Sequence, residues 1–305
     1  MNLKQLLIRI VGPRLLPLTR AVLKRHYNQN KQLTSLENDQ KVLVLVPHVD
    51  DETIGAGGTI KNHVNQGSEV RCALITDGSN SRSELDKSEL TQIRKKEMAK
   101  VKDILGISHV HYFDFPDSKV ESTPDSQEKL LQIINEFDPD LIYTTTIVDA
   151  HHDHIVTAEL LADTLKQTEK DYAVRMYEIN CPIPPGEINC VVDISESMEV
   201  KQKAINIFAS QTIDFSGFLE LNRLKRYLIK DNLPEYAEVF IESNKVEFIH
   251  KIEAIKNQNY NFSKIFKQAN RTDTLLWALF KNYHLKKDIY RNASAHAAGH
   301  IEKNH

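Results

Sequence analysis

Short β-rich runs alternate with helical patterns along most of this chain, and this alternation restricts its fold more than any other feature. Runs rich in valine, leucine and isoleucine predict six strands, at residues 42–46, 69–76, 109–113, 140–145, 173–178 and 189–193. Helical patterns follow each of the first four, from about residue 52, at 86–105, at 126–137 and from residue 154. Such alternation is typical of a mainly parallel sheet with helices on both faces. We therefore predict an α/β, Rossmann-like fold of three layers.

The composition argues against several classes of function. Lysine and arginine number 39 against 42 acidic residues, and the formal net charge of -3 gives no attraction to nucleic acid. The three cysteines are odd in number and lack the Cys-x-x-Cys spacing, which argues against a disulfide framework and a cysteine zinc site. The sequence also lacks a run of about 18 apolar residues that would predict a transmembrane helix. These features favour a cytoplasmic protein.

The chain divides into three predicted segments: a basic amphipathic segment with a linker at 1–37, an α/β domain at 38–245 and a helical extension at 246–305. Leucine and isoleucine are interleaved with lysine and arginine over residues 3–27. This pattern predicts either a helix packed on the domain or on a second subunit, or a peripheral contact with anionic lipid at the inner face of a membrane. The oligomeric state is left open. In the extension we expect these residues to be buried: Ile265, Leu275, Leu276, Trp277, Leu279 and Phe280.

Two polar clusters, at 47–52 and 149–154, each directly follow a predicted strand. In a parallel sheet both lie at the carboxyl edge, where open α/β sheets place their ligands. His48 and Asp51 stand three residues apart at a strand-to-helix turn, close enough to hold one ion, and a histidine of the second cluster would complete a catalytic zinc triad. Asp50 is then left over, since successive side chains at a turn diverge, and it can act as a general base on the water.

Simpler explanations exist for parts of these clusters. Acidic residues before a helix are common as N-terminal caps, and Glu52 is either such a cap or a support for the metal ligands. Three histidines and two aspartates within residues 149–154 are harder to explain as a solvated loop, and they favour a metal site. The glycines at 55–58 do not predict a dinucleotide site, because that fingerprint sits directly after the strand. We expect them to allow close packing of the first helix.

The two clusters resemble the zinc-dependent de-N-acetylases of the PIG-L or LmbE-like family. The resemblance rests on Pro-His-Val-Asp-Asp-Glu at 47–52, on the glycines that follow it, and on His-His-Asp-His at 151–154. Val49 and His152 stand where the family frequently has proline, and His152 adds a candidate ligand. Together with shorter matches, the resemblance covers about residues 40–243.

The resemblance assigns roles to individual residues. It implies that His48, Asp51 and His154 bind one Zn²⁺ per chain, with Fe²⁺ as the alternative ion, while Asp50 activates the water. It also implies that His151 stabilises the tetrahedral oxyanion.

Three further roles follow from the same resemblance. Asp153 would orient His151. Arg94 and Asp117 would contact the substrate, with Asp114 as an alternative to Asp117. An ion pair of Arg94 with Glu97 on a helix surface would also explain the arginine.

The implied activity is hydrolysis of the acetyl group from an N-acetylated amino sugar, such as an N-acetylglucosamine conjugate, with release of acetate and a free amine. The basic N-terminus favours a lipid-linked or membrane-proximal conjugate. Two rival functions remain, an amidohydrolase acting on a non-sugar amide and a non-catalytic metal- or sugar-binding protein of the same fold. Asp50 weighs against the second, because a pure metal site does not need it.

Overall fold

The computed structural model describes residues 16–79, 86–211 and 213–301, with side chains up to residue 294. Residues 3–15 of the predicted basic segment lie outside the described residues. Within the described chain, seven strands form one sheet: β1 (Lys41–Val46), β2 (Glu69–Thr76), β3 (His109–Phe115), β4 (Leu141–Thr145), β5 (Ala173–Tyr177), β6 (Cys190–Asp193) and β7 (Ala237–Asn244).

The strands lie in the order β3-β2-β1-β4-β5-β7-β6. The first five pair in parallel, whereas β7 runs antiparallel to both β5 and β6. The predicted α/β fold is therefore confirmed, and each of the six predicted strands ends within two residues of its predicted bounds. β7 was not predicted, because it joins the sheet in the antiparallel sense and falls outside the strand-helix alternation.

Helices cover both faces of the sheet. Among the described residues they are α1 (residues 16–26), α2 (Asp51–Asn65), α3 (Lys87–Leu105), α4 (Pro124–Phe137), α5 (His152–Leu165), α6 (Met198–Ile205), α7 (Ser216–Lys225), α8 (Lys245–Lys256), α9 (Phe262–Ile265), α10 (Leu275–Phe280) and α11 (Tyr283–Ile301). Two 3₁₀ turns lie at Arg226–Leu228 and Thr272–Thr274. No described helix combines the length and the apolar character that crossing a bilayer requires.

Alternate residues of β1 face two separate cores. Leu43 and Leu45 pack with α4, α5, α8 and α11, while Val42, Val44 and Val46 pack with α2, α3 and α6. The sequence of a strand that is buried on both faces is a continuous apolar run, which is why β1 could be recognised from the sequence.

The C-terminal segment shares the first of these cores. Phe248, Ile252 and Ile289 are buried among residues of the sheet and of α5. Ile265 and Leu276, which were predicted to be buried, pack against this core but are only partly buried. The segment therefore contributes to the same packed unit as the sheet.

The predicted burial of α10 is confirmed for one face only. Leu275 and Leu279 are buried together with Ala278. The prediction that Trp277 and Phe280 are buried is wrong, since they are 56% and 39% exposed. Because α10 has only six residues, one face reaches the core and the other is left at the surface.

A buried ion pair fixes helix α2 against the sheet. Lys201 and Glu238 are fully buried and lie 2.6 Å apart. Lys201 donates to the carbonyl of Ile54 in α2, while Glu238 accepts from the amides of Gly58 and Thr59. Both side chains thus bind backbone groups of α2 and hold the helix in place.

The glycines of α2 allow the close packing that the sequence predicts. A Cβ atom at Gly55 would overlap the ring of Tyr177 in β5, and one at Gly58 would overlap Ile194. The start of α2, which carries Asp51, is therefore held tightly at the carboxyl edge of the sheet.

Candidate metal centre and catalytic cavity

The two polar clusters meet where the strand order reverses direction. β1 lies between β2 and β4, so the loops after β1 and β4 open a crevice at the carboxyl edge of the sheet. Such a switch point is where open α/β sheets bind ligands. Residues 47–51 follow β1, and residues 149–154 lie between β4 and the first turn of α5.

Three predicted ligand atoms form a compact triangle. His48 Nδ1 lies 3.2 Å from Asp51 Oδ2 and 3.2 Å from His154 Nε2, and the last two atoms are also 3.2 Å apart. In a tetrahedral zinc site with bonds of about 2.0–2.1 Å, neighbouring ligand atoms are about 3.4 Å apart. The donor set and its spacing therefore fit one tetrahedral ion with a fourth position open. Two wider groupings, whose ligand atoms lie within 4.8 Å of one another, fit it less closely: His48 with His151 and His154, and His48 with Asp117, His151 and Asp153.

Carboxylates lie close to the outer nitrogens of both histidines. His48 Nε2 lies 3.0 Å from Asp153 Oδ2 and 3.4 Å from Asp117 Oδ1, while His154 Nδ1 lies 3.1 Å from Asp149 Oδ1. Histidines that bind metals typically direct their second nitrogen to such a carboxylate, which fixes the ring and raises its basicity. The surroundings of the triangle thus have the arrangement of a metal site.

Asp149, which the sequence did not single out, lies behind His154. Its carboxylate accepts hydrogen bonds from the backbone amide and the side-chain amide of Asn180, both at 2.9 Å, and from the amide of His151 at 2.8 Å. The only sequence signal was its place at the start of the second cluster. Asn180 carried no signal, because a single asparagine after a strand is common in any fold.

The charges of the cluster favour a cation beside Asp51. Burial alone would lower the pKa of His154, but Asp51 and Asp149 outweigh it and raise that pKa to about 10. Burial would likewise raise the pKa of Asp51, yet the neighbouring His154 and His48 bring it well below its usual range. Protons on the imidazoles supply this positive charge in the protein alone, and a divalent ion would supply it in the same place.

Asp50 is held in an unusual backbone conformation. Its φ of 126° lies in a region that residues other than glycine rarely adopt, and its side chain makes no hydrogen bond that caps α2. A simple capping role is therefore not supported. Its carboxyl is buried, and burial together with Asp51 raises its pKa well above the ordinary value. A buried carboxyl with a perturbed pKa is a candidate for proton transfer.

Glu52 supports this turn. It is fully buried, and its carboxylate accepts hydrogen bonds from the Asp50 amide at 3.3 Å and the Thr53 hydroxyl at 2.6 Å. Burial raises its pKa to about 7. Of its two predicted roles, the contacts favour support of the site.

His151 lies against the triangle as a neutral imidazole. Its ring centroid is 4.5 Å from that of His48, and burial together with the nearby His48 and His154 lowers its pKa to about 4. Its Nδ1 accepts a hydrogen bond from the amide of Asp153, which leaves the proton on Nε2. The Asp153 carboxylate is 3.9 Å from His151 Nδ1 but 3.0 Å from His48 Nε2, so its nearer partner is His48. His152 is exposed, outside the triangle.

A cavity of about 140 Å³ opens beside these residues. Seven of its lining residues are titratable, and we call them the titratable set: His48, Asp50, Asp51, Arg94, Asp117, His151 and His154. The other seven form the uncharged set: Ile54, Ile179, Asn180, Gln211, Ile213, Phe218 and Gln268. Both predicted substrate contacts, Arg94 and Asp117, therefore face the same space as the triangle.

Arg94 is only 1% exposed and donates to Gln211 Oε1 at 2.9 Å. The alternative of a surface ion pair with Glu97 is therefore wrong. Asp114, the alternative to Asp117, is exposed and lies 2.6 Å from Lys95, outside the cavity.

The C-terminal segment supplies Gln268 to this cavity. The segment is fixed by two backbone hydrogen bonds, from the Ala269 amide to the Asn180 carbonyl at 3.0 Å and from the Gly217 amide to the Asn270 carbonyl at 2.8 Å. Any side chain at Gly217 would collide with this backbone. No motif in the sequence pointed to Gln268, because its position depends on a fold that brings residues far apart in sequence together.

Comparisons with known proteins point to one family of deacetylases. The model of the PIG-L family, described as GlcNAc-PI de-N-acetylase, matches residues 43–165. The diacetylchitobiose deacetylase of Thermococcus kodakarensis is 30% identical over 193 residues, with 56% of this chain and 70% of that protein covered. A probable N-acetyl-alpha-D-glucosaminyl L-malate deacetylase 2 of Bacillus anthracis is 26% identical over 188 residues, with 58% and 83% covered.

A solved structure shares the fold. The N,N'-diacetylchitobiose deacetylase from Pyrococcus horikoshii, complexed with its inhibitor MPG, matches with a TM-score of 0.60 at 24% identity. The match covers 68% of this chain and 85% of that one. At this level of identity the likeness shows the architecture alone.

Proposed function

The chain belongs to the PIG-L family, and on this basis we propose that it is a metal-dependent hydrolase that removes the acetyl group from an N-acetylated amino sugar. The substrate would be a conjugate of the N-acetylglucosamine type, and the products would be acetate and a free amine. The observation that carries the proposal is the triangle of His48, Asp51 and His154 beside the buried Asp50 carboxyl in one cavity. Two relatives, named as deacetylases of diacetylchitobiose and of an N-acetylglucosaminyl malate, support the substrate class.

His48, Asp51 and His154 would hold one Zn²⁺, with Fe²⁺ as the alternative. Two imidazoles and one carboxylate suit either ion, so availability would decide occupancy. When bound, the ion supplies Lewis-acid polarisation of the amide carbonyl. The identity of the ion remains part of the proposal.

Asp50 would move the proton. Its raised pKa suits a group that takes a proton from the attacking water and delivers it to the departing amine. The unusual backbone conformation of Asp50 fixes the position of its carboxyl group in the turn before α2. Asp50 is thus the residue whose loss should separate metal binding from turnover.

His151 would stabilise the oxyanion. Because its Nδ1 accepts from the Asp153 amide, its Nε2 carries the proton and can donate to a negatively charged oxygen. Its lowered pKa keeps the ring neutral, so it acts as a hydrogen-bond donor without an added charge. The buried guanidinium of Arg94 and the carboxylate of Asp117 would contact sugar hydroxyls.

The test is acetate release from a panel of N-acetylglucosamine conjugates by the metal-loaded protein and its Asp50→Asn variant, with bound metal measured in both. Asparagine tolerates positive φ better than most residues, so the turn is retained. About one equivalent of metal in both proteins, with acetate released only by the unmutated one, is expected. Metal without turnover on any conjugate would favour the binding protein, and turnover of simple acetamides would favour the non-sugar amidohydrolase.

Three further points stay predictions. They are the cytoplasmic location, the contact of residues 3–27 with a membrane, and the division of the chain at residues 37 and 245. The first two can be examined by fractionating cells that express the full chain.

A further inference from the structure

Helix α10 exposes the only tryptophan of the chain. Trp277 is 56% exposed and Phe280, three residues later, is 39% exposed. Large aromatic side chains at this degree of exposure on the same short helix are a feature of binding surfaces. The ring of Phe280 also contacts Tyr283 at 5.8 Å and His26 of α1 at 5.1 Å, which extends the aromatic surface across three helices.

Lysines surround these rings. The ammonium groups of Lys267 and Lys281 lie 5.7 and 5.9 Å from the centre of the Trp277 ring, and that of Lys287 lies 5.9 Å from the Tyr283 ring. None of the three lysines forms an ion pair within the described part of the chain. The surface therefore combines exposed aromatic rings with uncompensated positive charge. We call it the α10 patch, made of His26, Lys267, Trp277, Phe280, Lys281, Tyr283 and Lys287.

Two acidic residues in the same stretch of the chain are paired with arginines. Asp273 is held by Arg271, and Asp288 lies 2.7 Å from Arg291. They therefore do not neutralise the lysines of the α10 patch directly.

The sequence before Glu37 is also positively charged. No aspartate or glutamate precedes Glu37, whereas seven lysines and arginines do. In α1, Leu18 is 55% exposed and lies eight residues before His26, within about 80° of it on the helix.

We propose that the protein docks on an anionic lipid surface through the α10 patch. Tryptophan and phenylalanine partition into the boundary between headgroups and acyl chains, and lysines pair with anionic headgroups. Each cation close to an anionic leaflet strengthens binding by about fivefold. The charge of the patch thus selects anionic lipid, and its rings provide the apolar contact that a soluble anion would not use.

The patch is connected to the cavity at two points. Lys267 precedes Gln268, which lines it, and Arg20 of α1 forms a two-point ion pair with Glu220 of α7, the helix that supplies Phe218 to the lining. Docking would therefore bring the cavity close to the lipid surface.

The single tryptophan makes the docking directly measurable in the full-length protein. Trp277 emission in buffer is expected to be that of a water-exposed indole. With vesicles of phosphatidylcholine containing a third phosphatidylglycerol it should shift to the blue, and lipids with brominated acyl chains should quench it. Pure phosphatidylcholine should give much weaker binding. Unchanged emission at saturating anionic lipid would overturn the proposal. So would a buried emission in buffer alone, which would mean that the patch is already covered by the chain itself or by a second copy.

Charge variants test the specificity of the contact. Lys267→Glu/Lys281→Glu should weaken co-sedimentation with anionic vesicles by more than about tenfold. The matched control is Lys96→Glu/Lys100→Glu, which makes the same charge change on exposed residues of α3. Equal loss in both variants would mean general electrostatic attraction and would contradict a patch at α10.

Two alanine variants test the contribution of the aromatic rings. Phe280→Ala should reduce binding several-fold, whereas Tyr260→Ala, at a site that is 41% exposed, should not. Neither readout requires acetate release. A failure of docking is therefore distinguishable from a failure of the proposed activity.

Discussion

The two sets of residues that line the cavity differ in how the chain supplies them. The titratable set comes largely from two short segments, which follow the adjacent strands β1 and β4. The uncharged set is drawn mainly from separate stretches between residues 179 and 268. The carboxyl edge of the sheet thus determines where most of the reactive groups lie, whereas the rest of the lining depends on packing between residues far apart in sequence. We infer that the titratable residues of the two segments after β1 and β4 perform the chemistry, and that the uncharged set, together with Arg94 and Asp117, selects the substrate.

The largest expected effect comes from removing a ligand of the titratable set. Asp51→Asn takes away the negative charge that lies 3.2 Å from both imidazoles. If three ligands share a binding free energy of about 10–16 kcal/mol, loss of one weakens metal binding by roughly 10²- to 10⁴-fold. Competition with a metal-sensitive dye would measure this. Asp125→Asn, at an exposed residue of α4, is the control, and equal affinity in both variants would exclude Asp51 as a ligand.

The difference between the two sets also explains what the sequence could predict. His48, Asp51 and the histidines of the second cluster belong to residue types that bind metals, at short spacings after recognisable strands, so the proximity of the two clusters followed from the parallel sheet. The choice of His154 among those histidines came from the family resemblance. Gln268 and Phe218 have side chains common in any core or surface, and only the folded chain shows that they face the cavity. The exposed Trp277 was missed for a related reason, because apolar periodicity does not reveal which face of a six-residue helix is covered.

A smaller effect is expected at Asp149, which supports the titratable set without lining the cavity. Asp149→Asn removes the negative charge beside His154 Nδ1 and should reduce metal affinity by about 10–100-fold. The same substitution disturbs the contact with Asn180, so thermal stability should be recorded beside the affinity. Unchanged affinity in a stable variant would show that His154 does not need this carboxylate.

The uncharged set should respond differently. Gln268→Ala is expected to raise KM by about tenfold on the preferred conjugate. Because this residue would bind the substrate and the transition state equally, kcat and metal affinity should stay close to those of the unmutated protein. Gln202→Ala, at an exposed residue of α6, serves as the control. A fall in kcat at constant KM would place Gln268 with the catalytic residues and would break the division between the two sets.

The smallest effect concerns a buried histidine near the other end of α2. His63 Nε2 lies 3.0 Å from the Tyr143 hydroxyl, and burial together with Arg175 lowers the pKa of His63 to about 3. Below pH 6.5 His63 therefore binds a proton in the unfolded chain but not in the folded protein. Because of this difference, stability is lost as the pH falls from about 6.5 towards 3. Between pH 7.5 and 5.5 this should lower the free energy of unfolding by about 1.4 kcal/mol.

His63→Gln should remove that dependence while keeping a polar partner for Tyr143, and denaturant unfolding at both pH values would measure it. A dependence of the same size in the variant would assign it to other groups. His154 is as deeply buried but lies between Asp51 and Asp149, and its pKa is shifted in the opposite direction. The contrast between the two histidines thus isolates the contribution of the carboxylates, which hold positive charge at the carboxyl edge of the sheet where burial alone would exclude it.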